Sequence, residues 1–193
     1  MFNKSCRRVC LLLLALPLLG GCVAAAVTAT AAGAAVAVDK RTTGTMIDDE
    51  GIELKAMNTI SKNKELADST HINVISYNNR VLVIGEAPTE EMRQQVIDIV
   101  RGIPKVTHVY DEITIAAPSS FMSRSSDTVI TSKVKTRMLA NGDVSGLDIK
   151  VVTEDGVVYL MGLVGRDEGD KATQIARTTG GVQKVVKLFQ YTD

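Results

Sequence analysis

A serine and a lysine three positions apart occur twice in this chain, at Ser61 and Lys64 and again at Ser132 and Lys135. Penicillin-binding enzymes use this spacing for acyl transfer, with the serine as nucleophile, and need Ser-Asp-Asn and Lys-Thr-Gly elements to complete the site. The chain contains neither element. Because serine and lysine are both common here, such a pair is expected by chance, so the sequence does not predict acyl-transfer chemistry.

Metal and phosphate chemistry have equally little support. His71 and His108 are the only histidines, and they do not stand at ligand spacing to each other. Glu-Asp-Gly at residues 154–156 favours a turn, because the rest of a calcium-binding EF-hand loop is missing. A glycine-rich phosphate-binding loop is also missing. We therefore predict that the chain is not an enzyme and has no metal site and no cofactor.

Cys22 is the residue with the most specific chemistry. A positive segment with Lys4, Arg7 and Arg8 precedes an apolar run, which is the layout of a secretory signal. Residues 19–22, Leu-Gly-Gly-Cys, resemble the bacterial lipobox, in which signal peptidase II cuts before the cysteine and the cysteine is then acylated. We predict a signal peptide at residues 1–21 and, at residues 22–45, an acylated Cys22 followed by an alanine-rich tether.

A retained membrane span over residues 9–38 is the alternative. Its length would suffice, but Pro17 and glycines at 20, 21 and 33 interrupt it.

Three acyl chains on Cys22 would hold the protein in a membrane essentially permanently. By resemblance to sorted lipoproteins, Val23 is not the aspartate that retains them in the inner membrane, so we expect the periplasmic face of the outer membrane.

Composition narrows the possible partners. Loss of residues 1–21 leaves Cys22 as the only cysteine and turns a chain of 22 basic and 22 acidic residues slightly acidic. Such a charge balance does not favour nucleic acid as a partner. Tryptophan is absent and aromatic residues are few, so the core must consist mainly of Val, Ile, Leu and Met.

An internal repeat predicts the architecture. Residues 72–87 align without gaps on residues 149–164, and further matching segments follow after one gap. Each copy has a helical segment, two strands around a tight turn, a second helical segment and a last strand. The turns are Asn-Asn at 78–79 and Asp-Gly at 155–156, both favourable for hairpins, whereas Gly169 weakens the last helix.

The fold class is therefore α+β, with two helices on a three-stranded sheet in each domain. The predicted first domain covers residues 46–116, the linker 117–126 and the second domain 127–193.

The segments VLVIGEA at 81–87 and VYLMGLV at 158–164 resemble the BON domain family. Two such domains behind a lipobox, together with the helix SSDTVITSKVKTRML at 125–139, are similar to the dual-BON outer-membrane lipoproteins. This resemblance covers nearly the whole mature chain. It implies an αββαβ fold with a mixed sheet per domain, binding of anionic phospholipid through the second domain, and roles in outer-membrane integrity and at division sites.

The first helices of the two copies differ in charge, −3 over residues 47–61 and +2 over residues 126–142. On the second, Asp127 is expected at the N-cap, and a core stripe of Ile130, Val134 and Met138 leaves another face exposed. An apolar residue beside a lysine on such a face is typical of a shallow membrane contact. The predicted phospholipid-binding residues are Val129, Ser132, Lys133, Lys135, Thr136 and Arg137, with phosphatidylglycerol the expected lipid.

The expected affinity is low. Three basic residues at ~1 kcal/mol each give about 3 kcal/mol, which is millimolar binding at best, so docking depends on the membrane anchor. Family members carry tryptophan at the position of Val129, and valine offers less area. The alternative function is a protein-binding adaptor for envelope assembly or peptidoglycan-remodelling machinery, with the acidic first helix as its surface. A secretion or toxin role would rest only on the apolar N-terminus.

Overall fold

The computed structural model describes residues 39–118 and 120–193, which lie within one compact unit. The predicted signal peptide, Cys22 and most of the tether lie outside the described residues. The helices are α1 (Thr43–Lys62), α2 (Lys64–Ser69), α3 (Glu90–Arg101), α4 (Phe121–Leu139) and α5 (Arg166–Arg177). The strands are β1 (His71–Tyr77), β2 (Arg80–Ala87), β3 (His108–Ile115), β4 (Ile149–Glu154), β5 (Val157–Val164) and β6 (Lys184–Tyr191). None of these helices is long and apolar enough to cross a bilayer.

The strands form two sheets of identical topology. β2 pairs antiparallel with β1 and parallel with β3, and β5 pairs in the same way with β4 and β6. Helices α1 and α3 pack on one face of the first sheet, and α4 and α5 on one face of the second. The predicted α+β class and the mixed three-stranded sheets are confirmed.

The hairpin turns form where the residue types predict them. Asn78 and Asn79 have φ of 52° and 62°, and Asp155 and Gly156 have φ of 46° and 73°. Positive φ at both central residues is the hallmark of the type I′ turn, whose twist matches that of the flanking strands. The turns therefore fix the register of β1 on β2 and of β4 on β5.

A buried carboxylate from the first helix of each domain supports its turn. Asp49 accepts hydrogen bonds from the backbone N–H groups of Asn78 and Asn79, both at 2.8 Å. Asp127 accepts them from Asp155 at 3.0 Å and from Gly156 at 2.9 Å. The prediction that Asp127 caps its helix is therefore wrong, since its side chain binds the turn.

The first helix of the second domain begins earlier than the serine-rich segment suggested. Helix α4 begins at Phe121, inside the predicted linker at 117–126, and the Ser120 side chain caps it by accepting from the backbone N–H of Ser123 at 3.3 Å. Helix α1 likewise begins at Thr43, inside the predicted tether at 22–45. Serine and threonine serve here as helix caps, which is why a serine-rich stretch is not wholly a linker.

Two glycines permit close packing. Gly85 has φ of +116°, and a Cβ there would lie 1.9 Å from the backbone oxygen of His71. Gly169 lies inside α5, where a Cβ would meet the rings of Phe189 and Tyr191 at 3.2 Å. The helix-weakening glycine at 169 thus lets α5 approach β6, and tertiary packing outweighs its low helix propensity.

The two sheets turn their other faces toward each other and share a core. Its buried residues are Ile75, Tyr77, Leu82 and Ile84 from the first domain and Tyr159, Met161 and Leu188 from the second. The Tyr77 hydroxyl donates to the backbone oxygen of Asp148 at 2.9 Å. The ammonium of Lys150 pairs with the Glu53 carboxylate at 2.7 Å. The domains are therefore packed together through an apolar core with polar contacts at its border.

Candidate functional site

A groove of about 730 Å³ runs between the outer face of α4 and the turn that follows α5. All the predicted phospholipid-binding residues except Lys135 line it. Its lining residues are Thr128, Val129, Ser132, Lys133, Thr136, Arg137, Thr178, Thr179 and Gly180.

The helical period places these side chains. Ile130, Val134 and Met138 are at most 5 % exposed and pack into the core of the second domain, as the spacing predicts. Val129, Ser132, Lys133 and Thr136 therefore lie on the outward face of the helix. Val129 remains 52 % exposed and forms the apolar part of the groove wall.

The two basic side chains of the groove, Lys133 and Arg137, differ in their hydrogen-bond partners. Within residues 39–118 and 120–193, the Lys133 side chain has no hydrogen-bond or ion-pair partner, so its charge is available to a ligand. Arg137 donates to the backbone oxygen of Ile175 at 3.0 Å and to the hydroxyls of Thr178 and Thr179 at 3.1 and 2.7 Å. Arg137 therefore ties α4 to the end of α5 and holds the groove in shape, while its positive charge remains at the wall.

Lys135 is not part of this groove. Two residues along a helix correspond to about half a turn, so Lys135 lies on the side opposite Lys133. Its ammonium donates to the backbone oxygen of Ile149 at 2.6 Å, and its burial lowers its pKa. The Ser132 hydroxyl instead donates to the backbone oxygen of Thr128 at 2.9 Å, so the serine and lysine of this pair also do not meet. The prediction of Lys135 as a lipid contact is not supported by its position.

The comparisons identify the family. The model of the BON domain matches residues 48–117 and 126–193. The chain belongs to the BON domain family. It is 39% identical to "Outer membrane lipoprotein DolP" of Haemophilus influenzae over 97% of this chain and 97% of that protein. It is 37% identical to a "21 kDa hemolysin" of Actinobacillus pleuropneumoniae, covering 80% of this chain and 79% of that one. Identity to "Osmotically-inducible protein Y" of Escherichia coli is 29%, covering 82% and 80%.

A second group of side chains with potential ligand atoms comes from both BON domains. His71 and Glu86 of the first domain and Glu154 of the second place one potential ligand atom each within 4.8 Å of one another. Burial and the nearby Glu86 carboxylate raise the pKa of Glu154 to about 7. Motif spacing could not find this group because its members are distant in sequence. The available signal was a glutamate at the end of the apolar β2 strand, where a charge has to be buried.

Proposed function

We propose that the chain is an acylated lipoprotein at the periplasmic face of the outer membrane, whose second BON domain binds anionic phospholipid through the α4 groove. We further propose that this binding helps to maintain outer-membrane integrity, including at division sites. The observation that carries the binding proposal is the Lys133 ammonium, which has no partner among the described residues, beside the half-exposed Val129. The likeness to an outer membrane lipoprotein over nearly the whole chain supports the location, and Cys22 in its lipobox supports the anchor.

The groove suits the boundary between headgroups and acyl chains. A phosphate can approach Lys133 and the outer side of the Arg137 guanidinium, while Val129 and the 54 % exposed Leu139 supply apolar surface on the same helix. An apolar patch beside cations is the pattern of shallow interfacial binding. Anionic headgroups, with phosphatidylglycerol the expected one, are therefore preferred over zwitterionic ones.

The affinity is lower than the charge of α4 alone suggests. With Lys135 turned away, two basic residues remain at the groove, and at ~1 kcal/mol each they contribute about 2 kcal/mol. For a free protein this corresponds to a dissociation constant of about 30 mM, so binding is detectable only at high lipid concentration. A tether at Cys22 would make the second contact intramolecular and raise the effective lipid concentration, so docking is reversible and depends on the anchor.

The test is co-sedimentation of residues 37–193, which have no anchor, with phosphatidylglycerol and phosphatidylcholine vesicles at about 10–30 mM lipid, at low and moderate salt. Lys133→Glu changes the local charge by two units, which cancels the electrostatic contribution of about 2 kcal/mol, so binding to phosphatidylglycerol should fall below detection. Lys55→Glu is the matched control, an exposed lysine on α1 with the same change in net charge. Equal effects of the two variants, or binding insensitive to salt, would contradict the proposal.

A protein-binding adaptor for envelope assembly or peptidoglycan-remodelling machinery is the second candidate. The observation in its favour is the outer face of α1, where Ile47 and Leu54 are 67 % and 69 % exposed and Met57 is 40 % exposed, among acidic residues. Crosslinking from a photoreactive group at Leu54 in intact cells should capture a protein under this model. Under the phospholipid model alone, that position should capture none while the same group at Val129 captures lipid.

A further inference from the structure

A cluster of one imidazole and two carboxylates lies at one end of the packing between the BON domains. His71 opens β1, and Glu86 stands opposite it in register on β2. Glu154 is the last residue of β4 in the other domain. Their potential ligand atoms all lie within 4.8 Å of one another, so a single ion can reach all three side chains.

The Glu86 carboxylate has nothing to bind in the part of the chain that the structure describes. The residue is 2 % exposed, and neither of its carboxylate oxygens has a hydrogen-bond partner. One oxygen of Glu154 is likewise buried without a partner. Buried charges in proteins are normally paired, hydrogen-bonded or bound to a metal. These oxygens lie in the cluster, and a positive charge between them would compensate the cost of burying them.

The nearest cationic side chain compensates the cluster only in part. Arg124 of α4 places Nη1 3.3 Å from His71 Nδ1. Three carboxylates, those of Glu86, Asp127 and Asp155, act electrostatically on Glu154 against the single positive charge of Arg124. Negative charge therefore exceeds positive charge around the two carboxylates.

We propose that His71, Glu86 and Glu154 bind one divalent transition-metal ion, with zinc the best fit, which links the two BON domains. One imidazole nitrogen and two carboxylate oxygens are a three-ligand set that zinc accepts, with water in the fourth position. Magnesium and calcium prefer six or more oxygen ligands, so the imidazole disfavours them. This inference does not depend on phospholipid binding.

The surroundings allow an ion to enter and the ligands to close on it. A cavity of about 300 Å³ lined by His71, Arg124 and Glu154 leads to the cluster. Zinc bonds of about 2.0–2.1 Å put tetrahedral ligand atoms roughly 3.4 Å apart, so ligand atoms that now lie up to 4.8 Å apart would have to move closer together. Arg124 has to withdraw from the ring as the ion arrives, because two cations cannot share it. An ion held here would fix β4 of the second domain against β1 and β2 of the first.

The experiment uses the full chain in detergent micelles, with thiols alkylated and metal removed by a chelator, titrated with zinc chloride by calorimetry. We expect one ion per chain. At free zinc about 100 times the dissociation constant, the melting temperature should rise by about 5–10 °C. Cobalt should compete for the site, and millimolar magnesium or calcium should not.

Three variants locate the site. His71→Asn and Glu86→Gln each remove one ligand with little change of shape, and each should weaken zinc binding by more than about tenfold, the loss seen even for outer-shell partners. His108→Asn is the matched control, because it removes the other histidine, which is exposed at the start of β3. A wild-type chain that binds no zinc, or binding unchanged by His71→Asn and Glu86→Gln, would overturn the proposal. Tighter binding of calcium than zinc would overturn it as well.

Discussion

Val129→Trp should strengthen docking on phosphatidylglycerol vesicles, because it enlarges the apolar part of the α4 groove without changing its charge. Val129 is 52 % exposed, so a larger side chain can extend outward without displacing the core. An indole that places about 80 Å² more apolar surface in the interface adds about 2 kcal/mol at ~25 cal/mol per Å². The vesicle dissociation constant should therefore fall roughly 30-fold, with similar salt dependence.

Fluorescence provides the assay, since the wild-type sequence contains 0 tryptophans and the introduced indole is the only one. Its emission should shift to the blue when phosphatidylglycerol vesicles are added and should shift less with phosphatidylcholine. Leu54→Trp is the matched control, an apolar position on α1 that is 69 % exposed. Its emission should not respond.

Two results would refute this reasoning. One is a Val129→Trp variant that binds vesicles no more tightly than the wild type. The other is a Leu54→Trp indole that shifts as much as the indole at Val129, because the contact would then not be specific to the groove. In either case the α4 groove would not be a specific docking surface for the membrane.

The remaining predictions concern stability, measured by urea unfolding followed by circular dichroism. Asp49→Ala should lower the free energy of unfolding by about 3–5 kcal/mol, because the buried carboxylate accepts hydrogen bonds from Ser76 and the turn residues and pairs with Arg41 at 2.8 Å. Asp127→Ala removes fewer partners and should lower it less. A larger loss for Asp127→Ala than for Asp49→Ala would contradict this account. Gly85→Ala should cost more than about 4 kcal/mol, since its Cβ would lie 1.9 Å from a backbone oxygen. Gly51→Ala, in α1 with nothing within 4 Å, should instead stabilise by up to about 1 kcal/mol; a loss of stability there would refute the distinction.

Local chemistry made the fold of each BON domain predictable from sequence. Asn-Asn and Asp-Gly tolerate positive φ, so both hairpins could be placed, and the repeat carried each assignment from one copy to the other. The start of α4 was missed because serine favours both loops and helix caps, and only the capping contact of Ser120 distinguishes them.

The packing between the domains is reflected in the sequence of one strand, in which apolar and polar residues do not alternate. Strand β2 reads Val-Leu-Val-Ile from residue 81, all fully buried. A strand covered on one face alternates, whereas a continuous apolar run indicates two covered faces. Val81 and Val83 face the helices of their own domain, and Leu82 and Ile84 face the other sheet. The apolar run of β2 does not show which element covers its second face.

The candidate sites differ in predictability for a similar reason. Lys133 and Val129 could be found because both lie on one face of one helix, where spacing determines position. Lys135 was included for its charge alone, although the same period turns it away. His71, Glu86 and Glu154 meet only after the two sheets pack, so no local pattern could bring them together.

The packing of the sheets also connects the two proposed surfaces. Because Tyr77 and Met161 belong to one shared core, docking α4 on a membrane would hold the first BON domain in a defined position as well. The exposed apolar residues of α1 would then lie at a fixed position relative to the membrane. A flexible connection between the domains would not fix this position. Loosening the shared core by Met161→Ala should therefore leave vesicle binding near the wild-type level and reduce any α1-dependent crosslink. Lys133→Glu should reduce both, because the groove positions the whole pair of domains.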